Sequence, residues 1–482
     1  MSTMTNVELG KIPEGYKLTE VGVIPSSWDV TALSSQLKES PKYGINAAAV
    51  ELTGNLPVYL RITDISEDGY FKPSIKVGVD NPFSSLYKMD SGDLVVARTG
   101  ASVGKSYLYR PEDGELIYAG FLIKLIPDQN KLKSDYLFQY LRSESYWAWV
   151  VVMSMRSGQP GINGVEYGQL PIPLPSPKEQ TAIANALSDV DNLIASLETL
   201  ITKKSAIKTA AMQQLLTGKK RLPQFAKKGE KQGAKQGSDH TVGSCSISKA
   251  SQIKNTDQTA PRPGYKQTEL GEIPEDWDVI EFGNLVDYVK GYPFKSSEYT
   301  SDGARVIRVS DTTFDSIKDD GCVYVSADSV KKYKKWQLRE NDLIFSTVGS
   351  KPPMYDSLVG KAVIVTAAHD GSLLNQNAVI IRSKVKSGSF QKLLLNHFRM
   401  ERYIDHVEII YRGNANQASI TLENLFEFKL PLPSSEEEQI AIANFLSDMD
   451  TELDALEQRL SKTQKIKQGM MQELLTGKTR LV

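Results

Sequence analysis

The chain states almost everything twice, and no other feature limits its fold as strongly. "YKLTEVGVIPSSWDV" (16–30) returns as "YKQTELGEIPEDWDV" (265–279), and "LRITDI" (60–65) as "IRVSDT" (307–312). "GDLVVARTG" (92–100) is echoed by "NDLIFSTVG" (341–349), and "QTAIANALSDVDNLIASLE" (180–198) by "QIAIANFLSDMDTELDALE" (439–457). "MQQLLTGKKRL" (212–222) returns as "MQELLTGKTRL" (471–481). The period of about 250 residues far exceeds any solenoid unit, so this is a duplicated domain pair and not a repeat array.

The likeness is uneven. About half of positions 180–222 are identical to their counterparts, whereas 34–165 and 283–420 share only landmarks. Matching frames with divergent contents suggest two readers of different targets on one symmetric scaffold. The blocks are an extension at 1–15, a variable domain at 16–175, a helix at 176–222, a linker at 223–263, a second variable domain at 264–433 and a second helix at 434–482. The linker is rich in Lys, Gly, Gln and Ser with almost no aromatics, the composition of a flexible connection.

Each copy ends in a long helix with start signals. Ser176 caps, Pro177 takes the first helical position and Glu179 completes a capping box, with Ser435 and Glu438 at the same spacing in the second copy. Apolar residues follow at Ile183, Leu187, Val190, Ile194, Leu197 and Ile201, and at Ile442, Leu446, Met449, Leu453, Leu456 and Leu460. The strict 4-3-4-3-4 spacing is that of a coiled-coil seam. Two matching narrow seams predict antiparallel pairing, which brings "LTGKTRLV" back beside the first copy's opening motif. A helix over 178–215 would span roughly 55 Å, at about 1.5 Å per residue. A rigid spacer between two modules suits a duplex, whose grooves face one side every ~34 Å.

"ARTGASVGKS" (97–106) imitates a phosphate-binding loop. A Walker A loop needs four residues between its first glycine and the Gly-Lys pair. Gly100 and Gly104 enclose only 101–103, and "YLYRPEDGE" after Ser106 reads as a strand where a helix is required. In the second copy a long insertion separates Gly349 from Gly360–Lys361. A variable inter-strand loop fits both copies; a nucleotide cradle fits neither. "KPPMY" (351–355) has lysine where adenine methyltransferases carry asparagine, and no strand–Gly-x-Gly–helix segment could seat S-adenosylmethionine. No Gly-x-Ser-x-Gly elbow or His-Glu-x-x-His motif occurs, so neither a catalytic site nor a metal site is expected.

Composition adds limits. The 57 basic and 58 acidic residues leave a net charge of −1, so any DNA contact needs positive charge gathered on particular faces. Two cysteines and four histidines offer neither a disulfide framework nor a zinc site. The absence of a long apolar run or a signal core predicts a cytoplasmic protein.

Taken in order, the P-x-x-W-x-V opening, the R-[IV]-[ST]-D strand, the GD-L…TG…GK hairpin, the PLP…EQ-x-AIA helix start and the QELLTGKTRL end resemble the specificity subunit of type I restriction–modification systems. The resemblance covers nearly the whole chain except 1–10 and the linker, whose length departs from the compact central connection expected. It implies an α+β fold class: two pseudo-symmetric mixed α/β target-recognition domains separated by a long antiparallel two-helix coiled coil. Each domain would read one half of a split double-stranded DNA site, and the helices would set the gap and dock two methyltransferase subunits. Motor-nuclease (restriction) subunits would join them in a complex directed at foreign DNA such as phage. S-adenosylmethionine, ATP and Mg are expected on those partners and none on this chain, which would be non-catalytic by itself. The alternative reading is a coiled-coil protein-interaction scaffold without DNA specificity.

Base edges are read by Arg, Lys, Asn and Gln, and phosphates by cations and hydroxyls. In the first domain the candidates are Lys42 and Tyr43 in a polar loop, Arg98, and Ser102 and Lys105 in the 100–105 hairpin loop. Arg156, Gln159 and Asn163 join them from "RSGQPGIN" (156–163). In the second they are Tyr292 and Lys295 in "GYPFKS", Lys351, Lys361, and Arg412, Asn416 and Gln417 in "YRGNANQ". "KKYKKW" (331–336) reads equally as a solvated run or a nucleic-acid contact. Arg61 and Arg308, each three residues before an aspartate, read as internal ion pairs rather than phosphate anchors.

Overall fold

The computed structural model describes residues 12–155, 159–226, 261–351, 353–413 and 418–481. The chain forms two compact units. One joins residues up to Leu200 with those from Leu456 onward, and the other runs from Ile201 to Ala455. Neither unit coincides with one repeat: each holds a variable domain, the start of its own long helix and the end of the other repeat's helix. The linker at 223–263 lies largely outside the described residues.

Both units are built on one plan. Each opens on a β-hairpin, Tyr16–Thr19 against Gly22–Pro25 or Tyr265–Thr268 against Gly271–Pro274. The next strand pairs with the proline-rich segment before the long helix, Asp29–Ala32 with Pro171–Leu174 and Trp277–Glu281 with Lys429–Pro433. These ladders have two strands only, so the prolines' missing donors fall on an open edge.

Two four-stranded sheets follow in each unit. In the first, one sheet runs in the order Leu116–Tyr118, Val58–Leu60, Val77–Val79, Ala49–Glu51, and the other Lys42–Tyr43, Leu122–Leu125, Leu94–Ala97, Ser106–Leu108. The second unit repeats both orders, as Leu373–Leu374, Ala304–Ile307, Val323–Val325, Tyr299–Thr300, and as Val286–Lys290, Ala378–Ser383, Leu343–Ser346, Ala362–Ile364. In each unit the parallel pair is the same one, 116–118 with 58–60 and 373–374 with 304–307. The divergent stretches therefore share their topology. Lys42–Tyr43 is a strand, not the expected loop, because it completes the edge of the second sheet against Ile123 and Lys124.

The Leu94–Ala97 strand is buried on both faces. Leu94 and Val96 enter the core beneath the helices, and Val95 and Ala97 enter a second core between the sheets. Leu343 and Phe345 are divided from Ile344 in the same manner. Helices Ser134–Tyr140 and Glu144–Ser154, and Gly388–Phe398 and Glu401–Ile410, cover these sheets. Among the described residues no helix is long and apolar enough to cross a membrane.

The long helices span Pro177–Leu215 and Glu436–Leu474. Within each unit the two helix segments run antiparallel. Asp191 pairs with Lys467 at 2.5 Å and Glu179 with Arg480 in the first unit. Lys204 pairs with Glu452 and Lys208 with Asp450 in the second. All twelve seam residues are buried or half-buried. Ile183 and Leu187 join a core with Leu474 and Leu475, and Ile442 and Leu446 join one with Met212, Leu215 and Leu216. Each fully buried aliphatic side chain contributes roughly 1.5–3 kcal/mol.

A reciprocal closure locks each unit. Ser176 and Ser435 do cap their helices, each Oγ accepting from the N–H three residues on at 3.3 Å. The glutamates expected to complete capping boxes do something else. Glu179, 1% exposed, accepts from the Trp28 indole at 3.1 Å and from the Arg480 guanidinium at 2.5 and 2.8 Å. Glu438, 0% exposed, accepts from Trp277 at 3.3 Å and from Arg221 at 2.8 and 2.5 Å. Each arginine comes from the other repeat's helix end. The glycine before it lies against the opening hairpin: a Cβ on Gly477 would sit 2.5 Å from Pro25, and one on Gly218 would collide with Pro274. The return of "LTGKTRLV" to the first opening motif is thus observed, and Tyr16 donates to the Gly477 carbonyl at 3.1 Å.

Candidate nucleic-acid interface

The Gly-Lys pair is an internal strut. In the first unit the Leu94–Ala97 and Ser106–Leu108 strands form a hairpin, so a strand follows the loop as its sequence predicts. Lys105 reaches inward to the Ile65 carbonyl at 3.4 Å and to Glu67 at 2.7 Å. Its counterpart Lys361 is 2% exposed and donates to the Thr312 and Asp356 carbonyls, both at 2.5 Å. Burial lowers the Lys361 ammonium to a pKa of about 8. Ile65 and Thr312 each follow an Arg-x-x-Asp turn, and those turns are the expected ion pairs. Arg61 reaches Asp64 at 2.8 and 2.9 Å, and Arg308 reaches Asp311 at 2.7 and 3.1 Å. Lys361 and Lys105 are therefore corrections to the DNA-facing set: their charges hold the two sheets' loops together.

Of the remaining first-domain candidates, Arg98, Tyr43, Gln159 and Asn163 lie on neighbouring segments. Arg98 sits with its guanidinium 5.0 Å from the Tyr43 ring centroid, and the Tyr43 hydroxyl accepts from the Gly164 N–H at 3.0 Å. The Arg98 carbonyl accepts from the Ile162 N–H at 2.9 Å, and the Gly100 N–H donates to Pro160 at 3.0 Å. The Gln159 amide lies 3.3 Å from where a Gly100 Cβ would stand. Asn163 is committed to capping the Gly164–Gly168 helix, its side chain accepting from Glu166 N–H at 2.9 Å. Ser102 is half-buried, and Lys42 is exposed and paired with Glu39. Arg156 lies outside the described residues. Phe121, 59% exposed and bonded through its carbonyl to the Arg98 N–H, completes the group. A "GF" turn between strands carries no charge or amide, so residue type alone did not single it out.

Second-domain candidates fall at two places. Tyr292 packs on Trp336, Tyr333 and Phe294 with centroids 4.5, 5.0 and 4.8 Å away. Lys295 is exposed beside them, its N–H bonded to Glu298, which also accepts from Tyr333. The "KKYKKW" run forms a 3-10 turn, Ala327–Trp336, on this platform. Lys331, Lys332, Lys334 and Lys335 are all exposed or half-exposed, with Lys332 over Tyr333 and Lys335 over Trp336. Elsewhere Arg412 pairs with Ser419, and Val348–Gly349 pairs with Ala418–Ser419, from which the chain continues to exposed Lys351. Asn416 and Gln417 lie outside the described residues.

These features define a class: a doubled α/β protein whose variable domains each gather cations and aromatics at their surface. Residues 15–208 and 274–468 match the type I restriction modification DNA specificity domain, and the chain belongs to that family as a specificity subunit with two recognition domains. It is 24% identical over 463 residues to the type I restriction enzyme MjaVIII specificity subunit of Methanocaldococcus jannaschii, covering 95% of this chain and 94% of that one. It is 25% identical over 489 residues to the same organism's putative MjaX specificity subunit, covering 97% of each chain. The crystal structure of the type I restriction–modification S subunit from M. genitalium shares the fold at a TM-score of 0.52 and 14% identity, covering 93% of this chain and 96% of that one.

Proposed function

We propose that this chain reads a bipartite double-stranded DNA site, one half per variable domain, for a type I restriction–modification complex. The observation that carries the proposal is one topology built twice, with the same Trp–Glu–Arg closure and different side chains on the equivalent sheet edges. The paired long helices act as a coiled-coil ruler setting the gap between half-sites, and they dock two methyltransferase subunits. S-adenosylmethionine, ATP and Mg belong to the methyltransferase and restriction subunits; this chain supplies recognition and no chemistry. The lysines at 331–335 neutralise phosphates, which position the duplex without specifying its sequence.

Methylome sequencing of cells expressing the chain with a type I methyltransferase subunit, against cells lacking this chain alone, tests the proposal. A split adenine-methylated motif that disappears with the chain is expected. A mark that persists without it would assign the protein to a scaffold role instead.

A further inference from the structure

The two domains can be superposed by their hydrogen bonds, position by position, across stretches that share only landmarks in sequence. Ala97 pairs with Leu122 in one and Ser346 with Ala378 in the other. The next residue donates across the same ladder, Arg98 N–H to the Phe121 carbonyl at 3.0 Å and Thr347 N–H to the Asn377 carbonyl at 2.9 Å. Ile162 N–H donates to the Arg98 carbonyl, and Ile420 N–H to that of Thr347. Tyr43 pairs with Ile123, and Lys290 with Val379, the residues next along the equivalent strands. Even the close approaches match: a Cβ on Gly44 would collide with the Ala119 carbonyl oxygen, and one on Gly291 with that of Asn375.

At one edge of one sheet, three strands thus end at equivalent places with unlike residues. The first domain carries Tyr43, Arg98 and Phe121; the second carries Lys290, Thr347 and Asn377. Tyr43, Phe121, Lys290 and Asn377 are exposed, and Arg98 and Thr347 are half-buried at the ladder end. A fixed backbone with exchanged chemistry is what two readers of different sequences require.

We propose, resting on the specificity role above, that these six positions carry base discrimination. Arg98, stacked on Tyr43, presents its planar fork to O6 and N7 of a guanine in the first half-site. Asn377, held at φ +68° at the start of its strand, offers its amide to N6 and N7 of an adenine in the second. Phe121 supplies apolar contact beside Arg98, Lys290 serves as a hydrogen-bond donor beside Asn377, and the Thr347 hydroxyl, which donates to the Asn377 carbonyl at 2.9 Å, holds that residue in place.

The test is selection of a random-sequence duplex library by the full chain in complex with its methyltransferase subunits, comparing wild type with Arg98→Ala, Arg98→Lys and Asn377→Ala. Wild type is expected to select a split motif with a guanine in one half and an adenine in the other. Both Arg98 variants should relax that guanine by about ten- to a hundredfold and leave the other half intact. Asn377→Ala should do the converse. Arg98→Lys keeps the charge, so loss of discrimination there separates base reading from phosphate binding. Uniform weakening with an unchanged motif, or both halves changing together, overturns the assignment while the specificity role stands. No wild-type motif at all overturns the specificity role and this inference with it.

Discussion

Arg221→Met should unlock the second unit. The wild-type guanidinium has 6% of its side chain exposed and is shared between Glu438, whose side chain is 1% exposed, and half-open Asp276. The bond to Glu438 raises the arginine's pKa above its usual value despite burial. Methionine keeps the aliphatic packing against the hairpin but leaves Glu438 with one neutral side-chain donor, the Trp277 indole at 3.3 Å. An uncompensated buried carboxylate of this kind costs roughly 3–5 kcal/mol. At about 1.4 kcal/mol per decade, opening of the second unit should become about two to three and a half decades more frequent. Hydrogen exchange of the amides in the Trp277–Glu281 and Lys429–Pro433 ladder measures that opening directly. Arg221→Met with Glu438→Gln should recover at least ~1.5 kcal/mol, because a neutral amide is far cheaper to bury. Arg480→Met in the first unit should lose less, since its guanidinium is 33% exposed and water can replace part of it. Wild-type exchange in Arg221→Met, or no rescue in the double variant, would refute the reasoning.

Gly218→Ala and Gly477→Ala should each destabilise by more than the ~1–2 kcal/mol of a left-handed alanine, because their Cβ atoms collide with Pro274 and Pro25. Gly15→Ala, at φ +83° with nothing within 4 Å, provides the control in thermal denaturation. Burial works to raise the Asp191 pKa, but Arg142 and Lys467 outweigh it and hold the carboxyl below its ordinary range. The pairs therefore stabilise the first unit fully above the unfolded value near 4, and that contribution disappears as pH falls through the lower folded value. Asp191→Asn should lose it at neutral pH and show a flatter acid limb in urea titrations from pH 7 to 2. Replacing Lys331, Lys332, Lys334 and Lys335 with Gln should shallow the slope of log affinity against log salt, by ~0.9 for each phosphate no longer neutralised. The selected motif should stay unaltered.

Sequence periodicity could be converted into structure where local rules act. The duplication shows on direct comparison of the two halves, and the caps at Ser176 and Ser435, the twelve seam positions and the Arg-x-x-Asp pairs all depend on residues within a turn or two of one another. Exclusion of a phosphate loop was legible for the same reason, since spacing and the following strand are local. What lay beyond reach depends on which distant segments meet. Glu179 has capping-box spacing, but Trp28 and Arg480 arrive from far along the chain and claim its carboxylate. Lys105 and Lys361 look like surface cations by type, yet the sheets carry them inward onto backbone carbonyls. Phe121, Lys290 and Asn377 have no motif because their role comes from ladder register, and register is fixed by pairing between strands remote in sequence. The sequence alone determined that the chain is two copies of one frame, each ending in a long helix. Only the tertiary structure decided that a buried Trp–Glu–Arg contact locks each copy to the other's end, and which residues stand at the open edge of each sheet.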